Sequence, residues 1–170
     1  DDDPALGARV QQPPRGDLWY GFAPLKAARL DYVIQKATEM GASTIQPVLT
    51  RFTQVARVQL ARMRANAIEA AEQCEVLNVP EISAEIDVER LVAEWHAAQG
   101  DRLLLFADEA AASGSPVGQI AARAGRPAGL LVGPEGGLAC AERAGRLAQP
   151  FVLPISLGPR ILRADTSAVA

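Results

Sequence analysis

Two periodicities alternate along the chain. From 26 to 40 the apolar positions Leu30, Val33, Ile34, Ala37 and Met40 fall three and four apart, with Tyr32, Lys36 and Glu39 opposite. That spacing predicts an amphipathic helix, and Gly41 stands where a helix C-cap glycine belongs. Residues 58–74 repeat the pattern. Leu60, Met63, Ala67, Ala71 and Cys74 make an apolar stripe; Arg62, Asn66, Glu69 and Gln73 make a polar face, read as solvated. Further helices are predicted at 87–98, 116–124, 140–148 and 165–170. Short apolar runs between Gly, Pro and polar clusters predict strands at 17–23, 44–49, 102–107, 129–132 and 151–155. Pro47 marks the second of these as an edge strand or a strand end. Strands alternating with helices call for an α/β fold, a mostly parallel sheet flanked by helices. Residues 1–16 carry three Asp, three Pro and two Gly without periodicity. They read as a linker or a domain remnant, leaving 17–170 as the folded domain.

Composition narrows the chemistry. Half the chain is hydrophobic (49%) but only 5% is aromatic, so the core rests on Leu, Ile, Val and Ala. A net charge of −3 argues against holding nucleic acid by bulk electrostatics and leaves only a local basic patch for that task. The two cysteines, Cys74 and Cys140, form no CxxC pair, and His96 is the one histidine, so a structural zinc site lacks ligands. The thiols are expected as reduced core residues of a cytosolic protein. His96, in the last turn of its helix, reads as a surface residue facing the helix dipole. No apolar run approaches the roughly 20 residues of a membrane span, and the first residues are not a signal peptide.

In parallel sheets ligands bind beyond the C-terminal strand ends. Asp108 and Glu109 fall there, and so do two glycine-containing loops. The first, Gly133-Pro134-Glu135-Gly136-Gly137, permits positive φ and close backbone approach, with Pro134 fixing one angle. It is neither a P-loop nor a dinucleotide fingerprint, and on composition a tight turn would serve as well. The second, Leu157-Gly158-Pro159-Arg160-Ile161-Leu162-Arg163, alternates arginines with large aliphatic residues. Apolar side chains beside free backbone groups suit an adenine-like ring. The arginines suit phosphate or a developing anion, or else salt bridges at a helix start. No Gly-x-Ser-x-Gly motif or metal cluster is present. A reaction whose electrophile arrives already activated, asking for proximity and orientation, fits this inventory.

The segment from Leu131 to Leu138 (Leu-Val-Gly-Pro-Glu-Gly-Gly-Leu), followed by Leu157 to Arg163, resembles the 16S rRNA (uracil-N3)-methyltransferases, the ribosomal RNA small subunit methyltransferase E family of the SPOUT superfamily. Gln35-Lys36-Ala37-Thr38-Glu39, Glu69-Ala70-Ala71-Glu72-Gln73 and Val79-Pro80-Glu81 match as well. The resemblance covers 17–170. It implies a C-terminal trefoil knot, a homodimer, and methylation of N3 of one uridine in 16S rRNA of the 30S subunit. It implies S-adenosyl-L-methionine held by Leu131, Gly133, Pro134, Gly136, Leu157, Gly158, Ile161 and Leu162. In this reading Arg163 stabilises the uracil anion, and Glu135 and Asp165 are alternatives for orienting it. Arg51 and Arg160 are expected to contact RNA phosphates. The family also carries an N-terminal PUA-like β-barrel, of which 1–16 would be the tail; the chain is then expected to bind S-adenosyl-L-methionine but to methylate RNA poorly.

The sequence departs from the family at three places. Ala164-Asp165 replaces Thr-Glu, Glu75 stands where glycine is common, and Ala139-Cys140-Ala141 replaces a Ser-Pro-Glu-like helix start. Two other readings stay open: a non-catalytic nucleotide- or RNA-binding module, and a SPOUT enzyme acting on tRNA.

Overall fold

A computed structural model describes residues 16–53, 58–111, 116–121, 125–134, 140–158, 160, 162–167 and 169. The elements run β1 (Leu18–Phe22), α1 (Ala27–Glu39), β2 (Ala42–Leu49), α2 (Leu60–Gln73), β3 (Glu81–Ile82), β4 (Ile86–Asp87), α3 (Val88–Gln99), β5 (Leu103–Ala107), α4 (Pro116–Ala121), β6 (Ala128–Val132), α5 (Cys140–Leu147), β7 (Val152–Ile155) and α6 (Ala164–Ser167). Among the described residues every strand pairing is parallel. The order across the sheet is β3-β2-β1-β6-β5-β7, with β4 also beside β2. The expected α/β architecture is present. The knot is a matter of threading through segments that include 135–139, 159 and 161, which lie outside the described residues.

Alternation along the strands builds two cores. On one face Tyr20, Phe22, Ile45 and Val132 meet Leu30, Val33, Ile34 and Ala37 of α1 and Met63 and Ala67 of α2. On the other, Trp19, Val48, Leu104, Phe106 and Leu131 meet Val88, Leu91 and Trp95 of α3. The second core turns on the two tryptophans, whose rings meet edge to face at 5.0 Å. Glycines make room for Trp19. A Cβ on Gly21 would come within 2.3 Å of its ring, and one on Gly129 within 2.9 Å of it and 3.2 Å of Trp95.

Three expectations need correction. Pro47 does not mark an edge, because β2 lies inside the sheet between β1 and the pair β3 and β4. It is tolerated because β2 pairs with β3 at Thr44 and Ile45 and with β4 at Val48 and Leu49. Gln46 and Pro47 fall between the two short ladders, where a missing N–H costs least. Cys74 is exposed and not a core thiol: it caps α2 beyond its last turn, where the apolar stripe has rotated away. The polar face of α2 is not simply solvated, since Arg62 and Asn66 both donate to the Asp31 carboxylate of α1. The side chain of Cys140 lies outside the described residues.

Register fixes the functional edge. Phe22 pairs with Val132, Val132 with Ala107, and Ala107 with Ile155. The last residues of β1, β6, β5 and β7 thus form one level row. The segments that follow them all open on the same side of the molecule. Phe22 also pairs with Pro47, so the end of β2 and Arg51 beyond it join this edge.

Candidate functional site

The two loops singled out in the sequence follow β6 and β7, and β5 runs between those strands. At the usual strand spacing the loops therefore start about 10 Å apart, a gap of nucleoside dimensions. Its floor is Asp108, at the end of β5. This carboxylate is buried, yet fully engaged: Arg143 of α5 donates to it at 2.7 and 3.1 Å and the Ala110 N–H at 3.1 Å. A buried carboxylate held by a guanidinium fork is a fixing point. It locks α5, the helix that follows the first loop, onto the end of β5.

The first loop opens with Gly133 and Pro134, both half-buried. Leu131, two residues earlier, is buried at 2% exposure in the second core, so it supports this end of the gap from below. Glu135, Gly136 and Gly137 lie outside the described residues. The second loop begins at Ser156, whose hydroxyl donates to the Gly158 carbonyl at 3.1 Å and accepts its N–H at 3.4 Å. Gly158 has φ of +117°, a backbone state that a side chain would strain. Leu157 and Leu162 are half-buried and belong to neither core. Pro159 and Ile161 lie outside the described residues.

The charged side chains divide by what holds them. Arg160 is exposed, and so is Arg51. The Arg51 backbone N–H donates to the Glu142 carboxylate at 2.9 Å, tying the segment after β2 to α5. Arg163 is 59% exposed, and its Nε faces Oδ1 of Asp165 at 3.6 Å. Asp165 is 20% exposed, and its Oδ2 faces Nε of Arg29 at 3.8 Å. The structure thus brings together Arg163 and Asp165 and adds Arg29, which the sequence reading passed over. It also missed Arg143 and Arg146. Arg146 is buried with its guanidinium 5.4 Å over the Phe106 ring and no hydrogen-bond partner among the described residues. Burial pulls its pKa below the ordinary arginine value, against the fields of Glu142 and Glu89. His96 is exposed, its Nδ1 3.1 Å from the Gly100 carbonyl at the end of α3, far in sequence from these groups and consistent with the surface role expected of it. Among the described residues no group of His, Cys, Asp or Glu is arranged to hold a metal.

Residues 11–170 match the RNA methyltransferase domain family. The ribosomal RNA small subunit methyltransferase E of Rickettsia conorii is 30% identical over 156 residues, which is 91% of this chain and 62% of that protein. Its namesake in Bacillus subtilis is 31% identical over 152 residues, 84% of this chain and 58% of that protein. The crystal structure of a ribosomal RNA small subunit methyltransferase E from Neisseria gonorrhoeae, bound to S-adenosyl methionine, is similar with a TM-score of 0.79 at 27% identity. That likeness covers 92% of this chain and 63% of the other. The chain therefore spans about three fifths of the length of the relatives it matches.

Proposed function

The chain belongs to the RNA methyltransferase domain family, and from that premise we propose that it methylates N3 of a uridine in 16S rRNA of the small ribosomal subunit, with S-adenosyl methionine as methyl donor. The same reading takes the 30S subunit and a second copy of the chain as partners. The relatives' names favour ribosomal over transfer RNA.

The residues present fit the donor. Leu157 and Leu162 offer apolar surface that neither core uses, beside a loop whose backbone groups are turned by Gly158. Gly133 and Pro134 face them across the end of β5, with Leu131 beneath. Gly136 and Ile161 complete the set by sequence position. S-adenosyl methionine supplies, when bound, a methyl group already activated on a sulfonium. The chain's own task is then to orient the uracil and to favour loss of its N3 proton to solvent water. Arg163 stays protonated and is no base; it stabilises the negative charge that spreads over the uracil ring. Asp165 orients it from Oδ1, with Glu135 the alternative. Arg51 and Arg160 contact phosphates.

The observation that carries this reading is an exposed arginine facing a carboxylate at the end of the loop that follows β7, on the ligand edge of a parallel sheet. Calorimetry with S-adenosyl methionine should give saturable heat. Mass spectrometry of 16S rRNA should then find one added methyl on uridine after incubation with 30S subunits lacking that mark. Saturable heat without transfer would leave a binding module, and transfer to tRNA alone would move the substrate.

A further inference from the structure

Asp165 sits between two guanidiniums that come from opposite directions in the fold. Arg163 precedes it in the second loop; Arg29 reaches it from the first turn of α1. The carboxylate itself is well anchored. Its Oδ1 accepts the Thr166 N–H at 3.0 Å, Ala164 beside it is buried in the first core, and the Ser167 N–H and hydroxyl both donate to the Arg163 carbonyl, at 2.8 and 3.0 Å. Leu30, next to Arg29, is buried in the same core. Against these fixed points the Arg163 side chain, 59% exposed on its long stem, is the movable member.

From this geometry we infer that Arg29 is a positioning residue for methyl transfer, acting on Arg163 through Asp165; the inference rests on the function proposed above. A carboxylate left to one arginine tends to take it in a two-pronged grip, both oxygens engaged. Here the nearest approach of Arg29 is to Oδ2 and that of Arg163 to Oδ1, so the two guanidiniums share the carboxylate. Arg163 comes nearest through Nε, so the terminal nitrogen on the opposite edge of its planar guanidinium is left for a uracil oxygen. Arg29 thus keeps Asp165 from withdrawing the group that must face substrate. Neither distance is a hydrogen bond, and both have room to tighten when substrate arrives. Arg29 itself never needs to touch RNA.

The test compares Arg29→Gln, Arg29→Lys, Asp165→Asn and the Arg29→Gln, Asp165→Asn pair, each confirmed as folded by its thermal transition. Arg29→Gln should lower kcat about tenfold, as a misplaced guanidinium does, with KM for RNA within twofold. Arg29→Lys should recover most of the loss, since a cation still faces Oδ2. The double variant should be no slower than Asp165→Asn alone. An unchanged kcat with a raised KM and a shallower salt dependence would make Arg29 a phosphate contact and overturn the inference. So would losses that multiply in the double variant. A readout free of activity is the Arg163 Nε–H NMR resonance, identified by its absence in Arg163→Lys. It should move in Arg29→Gln and in Asp165→Asn; no movement in Arg29→Gln would also overturn the inference. If the wild-type chain transferred no methyl, the proposed function would fail while this signal still reported whether the three side chains are coupled.

Discussion

Glu75 holds φ at +53°, the only described non-glycine residue in that region. It closes α2 by the Schellman pattern, with the Val76 N–H reaching the Ala71 carbonyl at 2.8 Å and the Glu75 N–H the Glu72 carbonyl at 3.3 Å. Glycine is the residue that suits this place, which gives physical content to the family's glycine there. Glu75→Gly should therefore raise the urea midpoint, by about 1 kcal/mol of stability, with an unchanged slope. At the site, Arg163→Ala should lower kcat by roughly 10²–10³-fold while binding of S-adenosyl methionine stays near wild type. A rate within threefold of wild type, measured in single turnovers, would remove the proposed role of Arg163. The arginines of the second loop stand out in the sequence because they alternate with large aliphatic residues beside a glycine turn. Arg29 was not, because Arg29 and Asp165 sit at opposite ends of the chain and only packing joins them. Arg143 and Arg146 were hidden for another reason. Charged residues on a short helix read as its outer face, whereas here Arg143 turns to Asp108 and Arg146 lies over Phe106.

At the scale of elements, α1 and α2 were legible because each shows several turns of one period, and β5 and β6 because they are short unbroken apolar runs. The strands β3 and β4 were not, since two residues each display no alternation at all. Nor could spacing say that β5 would separate the two loops, because strand order is decided by packing between distant segments. The α1–α2 contact carries an element-level prediction. Hydrogen bonding from Arg62, with help from Asn66, holds the Asp31 carboxyl below its usual pKa. A carboxyl lowered by folding stabilises the native state above its unfolded value near 3.9 and ceases to do so as pH falls through the folded value. Asp31→Asn should thus be less stable than wild type in urea at pH 7, and the gap should close toward pH 3. A gap of constant size would mean that the pair contributes through shape and not through charge.

At the scale of the molecule, the net charge of −3 and the proposed RNA partner are reconciled by placement. Lys26, Arg51 and Arg160 are exposed on the edge where the level strand ends open, while two of the acids there, Asp108 and Asp165, already face arginines. Three phosphate contacts on a single strand should weaken binding about twentyfold between 50 and 200 mM salt. Fluorescence anisotropy with a uridine-bearing RNA measures this, and replacing all three cations by alanine should flatten the slope. The borders of the sheet have a consequence of another kind. On one side they are β3 and β4, two residues each, and on the other β7, four residues long with Pro154 inside it. Such borders give a neighbouring chain almost no ladder to extend. A chain with such borders resists recruitment into fibrils through its own sheet, whatever unfolded polypeptide it meets.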